Sequence, residues 1–230
     1  MKLTKSSAAF AGLFFLSALA AFPQSGFLKK GQYGFGLTGA YASNSAAHGF
    51  SGTVGAGLGG IFDLSFAAGH VTYDDTGEFT ELSATSLSPQ LTAHVIKQNS
   101  SRSPVSLSIT AGYARDNFAS PDLDLIDYKM WATTLMIGGA VYRDVRLSGT
   151  AYLQPYAGLV YSSTSLKISD PSSYTVSGDD SLVSLGLGVP VVYPLGPKAL
   201  LVVQPGLTFD LEKGGRTTFA LSAGLVYIIK

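Results

Sequence analysis

The chain has 230 residues, of which 46% are hydrophobic and only 13% charged; 15 Lys and Arg balance 15 Asp and Glu, and there is no cysteine. Balanced charge without a basic patch excludes a nucleic-acid binder, and the lack of cysteine excludes a disulfide framework or a lipid-modified N-terminal Cys. Beyond the first residues no apolar run approaches the roughly 20 residues of a helical membrane span, so the composition fits either a β protein with a large core or a membrane barrel.

The N-terminus reads as an export signal. Lys2 and Lys5 form a basic segment, Ala8 to Leu16 an apolar one too short to anchor in a bilayer, and Ala18-Leu19-Ala20 an A-x-A cleavage site. Residues 1–20 are therefore expected to be a signal peptide and residues 21–230 a single domain.

Ten segments then alternate with period two. Tyr33, Phe35 and Leu37 share a face in the first, Val54, Ala56 and Leu58 in the second, and Phe62, Leu64, Phe66 and Ala68 in the third. A less regular fourth, about Ala84 to Ile96, contains Pro89. In the fifth, Val105, Leu107, Ile109, Ala111 and Tyr113 oppose Ser106, Ser108, Thr110 and Gly112. The sixth, Tyr128 to Tyr142, aligns Trp131, Leu135, Ile137, Gly139 and Val141. The seventh sets Leu153, Pro155, Ala157, Leu159 and Tyr161 against Tyr152, Gln154, Tyr156 and Gly158. Val183, Leu185, Leu187, Val189 and Val191 mark the eighth, and Leu201, Val203, Leu207 and Phe209 the ninth. In the last, Phe219, Leu221, Ala223, Leu225 and Tyr227 oppose Thr218, Ala220, Ser222 and Gly224.

Alternation over segments of about ten residues predicts an all-β, antiparallel up-and-down transmembrane β-barrel of about ten strands. Eight or twelve remain open, because the fourth strand and the junction of the second and third are weakly marked. Connections alternate too. Gly59-Gly60, the stretch Arg143 to Arg146 and Tyr193 to Lys198 are tight; Asp74 to Glu81, Arg115 to Lys129 and Ser165 to Asp180 are long and polar. Long loops on the outside and short turns in the periplasm place both termini in the periplasm. Acidic residues collect at the outer end (among them Asp74, Asp116, Asp122, Asp124, Asp127, Asp170, Asp179 and Asp180), and basic ones at the other (Lys29, Lys30, Lys97, Arg143, Arg146, Lys198).

Alternation leaves open which face points outward. Rows of glycine (Gly55, Gly57, Gly59; Gly186, Gly188) suit a crowded lumen, and the small-residue face lacks the Lys and Glu that soluble strands expose. Aromatics at strand ends (Tyr33, Tyr113, Tyr161, Phe209, Tyr227) suit interfacial girdles. Leu107, Ile109, Leu185, Leu187, Leu221 and Leu225 are then expected to face lipid.

Val54-Gly-Ala-Gly-Leu-Gly-Gly60, Leu153-Gln-Pro-Tyr-Ala-Gly-Leu-Val-Tyr161 and Phe219-Ala-Leu-Ser-Ala-Gly-Leu-Val-Tyr227 resemble the small bacterial outer-membrane β-barrel proteins, the group of opacity, OmpA-type and OmpX-type barrels. The resemblance is one of architecture. It implies residence in the outer membrane beside lipopolysaccharide, and recognition of the last strand by the barrel-assembly machinery. This chain ends Ile228-Ile-Lys230 where such barrels commonly end on an aromatic, so Tyr227 or Ile229 would serve that signal.

The strongest candidate for chemistry is Gly69-His-Val-Thr-Tyr-Asp-Asp75, since omptin-type proteases resemble it in placing His and Asp at the barrel rim. There His70, Asp74 and Asp75 could activate a water, but parity turns His70 toward lipid. His94 faces the lumen without a serine at a telling spacing, and His48 is expected in a loop. The acidic loops are not spaced as a calcium site. Neither metal nor cofactor is expected. Tyr152, Tyr156, Gln154, Gln204 and Val202 point inward, and tyrosines leaning over glycines would fill the bore. The reading is a non-enzymatic scaffold that displays acidic outer loops to a protein partner through Asp116, Asp122, Asp124, Asp127, Asp170, Asp179 and Asp180. The alternatives are a narrow channel for small solutes and a rim hydrolase, either an omptin-like protease or a lipid A-modifying enzyme.

Overall fold

A sheet of strands apolar on one face loses its exposed edges only by closing on itself. In the computed structural model of this protein it does close. The structure describes residues 24–74, 81–99, 103–147, 150–170, 175–212 and 215–229; the expected signal sequence lies outside them. Ten strands make the wall: β1 Gly34–Ser43, β2 Ala47–Leu58, β3 Phe62–Tyr73, β4 Ser83–Ile96, β5 Ser106–Ala119, β6 Lys129–Tyr142, β9 Tyr156–Ser169, β10 Thr175–Gly188, β12 Ala199–Asp210 and β13 Thr217–Ile228. Three short strands are added, β7 Val145–Arg146, β8 Tyr152–Leu153 and β11 Val191–Pro194, with helical turns α1 Gln24–Phe27 and α2 Pro121–Leu125. Wall neighbours are antiparallel in chain order, and β13 closes on β1 from Gly34↔Ile228 to Ser43↔Phe219. An even count brings Gly34 and Ile228 to one end, called here the terminal end; the other is the loop end.

The weakly marked fourth strand is real. Pro89 is tolerated because it pairs with Phe66 of β3 while the β4–β5 ladder passes from Leu87 to Gln90 without it. A bulge between His94 and Ile96 turns Val95 and Ile96 outward together and leaves His94 aimed into the lumen.

Other elements differ from expectation. The seventh and eighth segments break at Gln154-Pro155 and Val189-Pro190, where prolines cannot donate to the ladder. Their terminal-end pieces become β8 and β11, which pair with each other, and β7 pairs with β8. The connection around Arg143 to Arg146 is therefore a small hairpin rather than a tight turn. At the loop end two of the expected long loops are partly strand: β5 runs on to Ala119, β9 to Ser169, and β10 starts at Thr175. Asp116, Asp179 and Asp180 accordingly lie in strands, not loops, because ladder pairing to neighbours continues after the outward face turns polar. His48 likewise sits in β2, opposite Thr72.

The faces sort by polarity. Leu37, Phe50, Leu64, Leu135, Ile137 and Leu225 stand outward and more than half exposed, as does much of the remaining apolar surface. Inward, Thr38, Thr53, Ser88, Gln90, Thr92, Ser108, Thr134, Thr164, Ser184, Gln204 and Ser222 are buried. A contiguous apolar belt of this size is stable only against another apolar phase, and strands of 10 to 14 residues suffice to cross a hydrocarbon layer when tilted.

The bore has three layers. At the loop end Val71, Tyr73, Leu82, Phe118, Leu123 and Met130 pack into one apolar cluster. The middle is polar, tied by Thr92–Thr110 at 2.8 Å and Thr134–Thr164 at 2.9 Å. At the terminal end Phe27 and Leu28 pack on Val192, Leu200, Val202 and Val226. The segment carrying them is held by Gln154 Nε2, which donates to the Gly26 carbonyl at 3.2 Å, and by Lys97 Nζ, which donates to the Leu28 carbonyl at 2.6 Å.

Lys97 lies just beyond β4, and burial of its ammonium, countered in part by Asp63 and Asp144, lowers its pKa from 10.5 to about 8. The unfolded chain keeps the ordinary value, so between those limits it binds more protons than the folded barrel. Stability should therefore rise with pH through that window and be flat below it. Urea midpoints measured below, within and above the window should show the rise, and Lys97→Met should flatten it.

Candidate functional site

Three places bring reactive or recognition groups together: the floor of the lumen, the loop-end rim and the tip after β5. On the floor, Asp63 is the first inward residue of β3, and the β4 bulge aims His94 at it. His94 Nε2 lies 2.7 Å from Asp63 Oδ2 and Nδ1 lies 2.6 Å from the Tyr142 hydroxyl of β6. With a neutral ring, Nε2–H donates to the carboxylate and Nδ1 accepts the Tyr142 O–H. Both ring nitrogens are thereby engaged. Asp63 and His94 are each 3% exposed. Ser106, the nearby hydroxyl on β5, accepts a hydrogen bond from the Gln98 backbone N–H at 2.8 Å. The arrangement has the parts of an acid–base relay, but its members bind one another, which makes it a latch joining β3, β4 and β6. Sequence reasoning placed His94 in the lumen and missed its partners. The available signal was parity, which also turns Asp63 and Tyr142 inward.

Above the latch is a cavity of about 70 Å³ lined by Gln90, Ser108, Thr110, Met136, Tyr156 and Gln204 among others. Gln204 Nε2 donates to the Tyr156 hydroxyl at 3.1 Å. The Tyr156 ring lies directly over Gly188, where any Cβ would collide with it. The inward set named from sequence, Tyr156, Gln154, Gln204 and Val202, does line the bore, with Tyr152 packed against the terminal-end cluster. The cavity's uncharged lining offers hydrogen bonds and no fixed charge. Below it a vestibule of about 1030 Å³ opens at the terminal end, bordered by Lys29, Lys30, His94, Lys97, Asp144 and Arg146.

At the rim, His48 and Asp74 form an exposed pair at 3.2 Å. His70 stands outward on β3, opposite Phe50; Asp75 lies outside the described residues. Asp74 is therefore engaged by His48, and His70 is turned away from the lumen as parity requires. No group of His, Asp and Glu able to hold a metal occurs among the described residues. Asp116 is buried under the apolar cap opposite Ser86, with no hydrogen-bond partner at Oδ1.

The tip is a built loop. Ser120 caps α2, accepting from Asp122 N at 3.3 Å, and Pro121 begins the turn with its preset φ. Leu123 is 2% exposed and pins the loop to the apolar cap, while Leu125 and Ile126 stand 85% and 52% exposed among Asp122, Asp124 and Asp127. Asp170 ends β9's side of the neighbouring loop, and Asp179 and Asp180 lie on β10 opposite Ser165 and Thr164.

The outward leucines expected to meet lipid lie on the outer face: Ile109 46%, Leu187 39%, Leu221 45% and Leu225 52% exposed, with Leu107 and Leu185 partly so. No family model matches the chain, and no curated protein matches it. Among solved structures, the translocator domain of the autotransporter NalP from Neisseria meningitidis is similar over 96% of this chain and 97% of its own, with 14% identity and a TM-score of 0.65. This chain shares the fold of bacterial outer-membrane β-barrels. Weaker likenesses are to neisserial surface protein A (14% identity, 85% of this chain and 96% of that one, TM-score 0.40) and to the outer membrane protease OmpT from Escherichia coli (14%, 86% and 95%, TM-score 0.43). These structural neighbours are bacterial outer-membrane proteins.

Proposed function

We propose that this protein is an integral barrel of the bacterial outer membrane, with both termini in the periplasm, acting as a non-enzymatic scaffold that presents a rigid tip at the cell surface. The observation that carries this reading is the 120–128 loop. Leu123 anchors it in the barrel while Leu125 and Ile126 remain uncovered beside three carboxylates. An exposed apolar pair on a rigid support loses little entropy on docking, and the acids favour a basic partner. Apolar clusters at both ends of the bore support a scaffold over an open channel.

Cells displaying the protein are expected to adhere or aggregate through this tip. Leu125→Asp with Ile126→Asp should abolish that adhesion while leaving heat-modifiable gel mobility intact. Full adhesion by the double variant would overturn the display reading. A narrow channel is the second reading, favoured by the uncharged polar cavity at mid-bore. Planar bilayers holding the intact protein should show no steady conductance. A conductance that grows when residues 24–30 are deleted would transfer the assignment to a channel closed by its own N-terminal segment.

A further inference from the structure

Among the ten wall strands only three contain a Lys or Arg, one each: Arg115 in β5, Lys129 in β6 and Lys167 in β9. The strands are consecutive in the wall. All three side chains point outward at the loop end and are exposed. Sequence reading placed only acidic character at that end; folding gathers these cations onto one flank of it.

The registers make them a patch. Trp131 of β6 is opposite Asn117 of β5 on one side and Lys167 of β9 on the other. Arg115 is opposite Thr133, diagonal to Trp131, and its guanidinium carbon sits 5.8 Å from the indole centroid. Lys129 is two residues along the same face as Trp131. With strands about 4.8 Å apart and a rise of about 3.4 Å per residue, the backbones carrying these groups span an area about 10 Å wide and 14 Å tall. Arg115 Nε donates to Asn117 Oδ1 at 3.5 Å, and Asn117, Thr133 and Ser165 surround the cations with neutral hydrogen-bonding groups. Asp179, opposite Ser165 and diagonal to Lys167, is the acid within the strands of this part of the face, and Asp127 lies two residues before Lys129 in the adjoining turn.

Height decides what such a patch meets. Descending β5 and β6, the outward face becomes apolar at Tyr113 and Leu135; on β9 and β10 it does so at Tyr161 and Val183, below the outward Ser165, Ser163 and Ser181. The cations thus begin where the apolar belt ends, at headgroup level, with Trp131 at the depth that interfacial tryptophan prefers. A guanidinium forks two phosphate oxygens and ammonium groups add point charge.

We propose that Arg115, Lys129 and Lys167, arranged around Trp131, bind the phosphate-bearing headgroup of a lipid in the surrounding outer leaflet. The site rests on the outer-membrane reading above and makes the barrel a lipid-selecting protein on one flank. The leaflet phosphate faces three cations there against Asp179 and the Asp127 of the adjoining turn, whereas the loop ends of β1, β2, β3 and β13 offer Ser43, His48, Thr72 and Phe219.

The test uses the full barrel in nanodiscs containing hexa-acylated lipid A, with native mass spectrometry reading the lipid retained. Wild type should retain diphosphorylated lipid A and release its dephosphorylated form. Each lost cation should weaken retention about fivefold, and Arg115→Gln/Lys129→Gln/Lys167→Gln on the order of a hundredfold. Lys29→Gln/Lys30→Gln/Lys198→Gln, at the opposite end, should match wild type, and Arg115→Lys should recover part of the loss. Equal retention by the two triple variants, or of both lipid forms, would overturn the site. If the triple variant loses heat-modifiable mobility, the double Lys129→Gln/Lys167→Gln variant decides by the same criterion. A wild-type chain that never enters the bilayer would overturn the membrane reading itself.

Discussion

Leu221→Arg is expected to be among the most damaging single substitutions on the outside of this barrel. Leu221 lies midway along β13, between Tyr41 of β1 and Pro205 of β12, and is 45% exposed on the outward face. In lipid at that depth an Arg costs about 2–4 kcal/mol. In water an exposed Leu→Arg change would be close to neutral. Reversible urea unfolding in liposomes, followed by tryptophan fluorescence from Trp131, measures the difference. A change within about 0.5 kcal/mol, the range of ordinary surface substitutions, would mean that water and not hydrocarbon covers this face. Arg at Lys167, on the same outer surface but above the belt, should be neutral. The contrast between the two sites therefore reports depth rather than general tolerance.

His94→Ala should destabilise the barrel by about 3 kcal/mol, chiefly by stripping buried partners. Loss of the ring strips one hydrogen-bonding contact from the Asp63 carboxylate and one from the Tyr142 hydroxyl, both of them buried side chains. Asp63→Asn with His94→Gln, which keeps hydrogen-bonding capacity without the acid, should recover much of that loss. Unfolding midpoints and the fraction of heat-modifiable protein after refolding read both effects. An Ala variant as stable as wild type would show that the three strands are joined by their ladders alone, with the latch contributing nothing.

Much of the wall was legible because period two is a local property. Ser222 turns inward and Leu221 outward for the same reason that His70 faces away from the lumen. The inward lean of Tyr156 over Gly188 was also accessible, since large and small residues on neighbouring strands must interlock where the bore narrows. Legibility ends where the outer face turns polar. Arg115 to Ala119 and Thr175 to Asp180 lack regular apolar alternation, and in Ser165 to Ser169 the apolar pair Leu166 and Ile168 turns inward instead of outward, so all three read as loop. Their backbones nevertheless continue the ladder, with Asn117 on Trp131 and Lys167 on Ser177. Once a strand rises past the hydrocarbon, its outer face no longer has to be apolar, and the signal that marks it disappears.

The sites were less legible than the wall. Asp74 was named as a rim acid, but its pairing with His48 depends on a hairpin register that places position 48 beside position 72. Asp116 looked like a loop carboxylate and is buried beneath Phe118 and Tyr73. Nothing in the sequence marks Leu125 and Ile126, because exposure is not a property of residue type.

By itself, then, the order of residues determined which side of each strand is apolar, that the staves are even in number and about ten, and that both ends of the wall share one side. All of these follow from spacing along a single strand and from parity. Tertiary structure alone decided that Asp63, His94 and Tyr142 share three hydrogen-bonding centres, that residues 24–28 fold under the bore, and that three cations from separate strands form one patch. Each of those depends on register between strands. Register is set by the summed pairing of ten neighbours around a closed ring, which no single segment encodes.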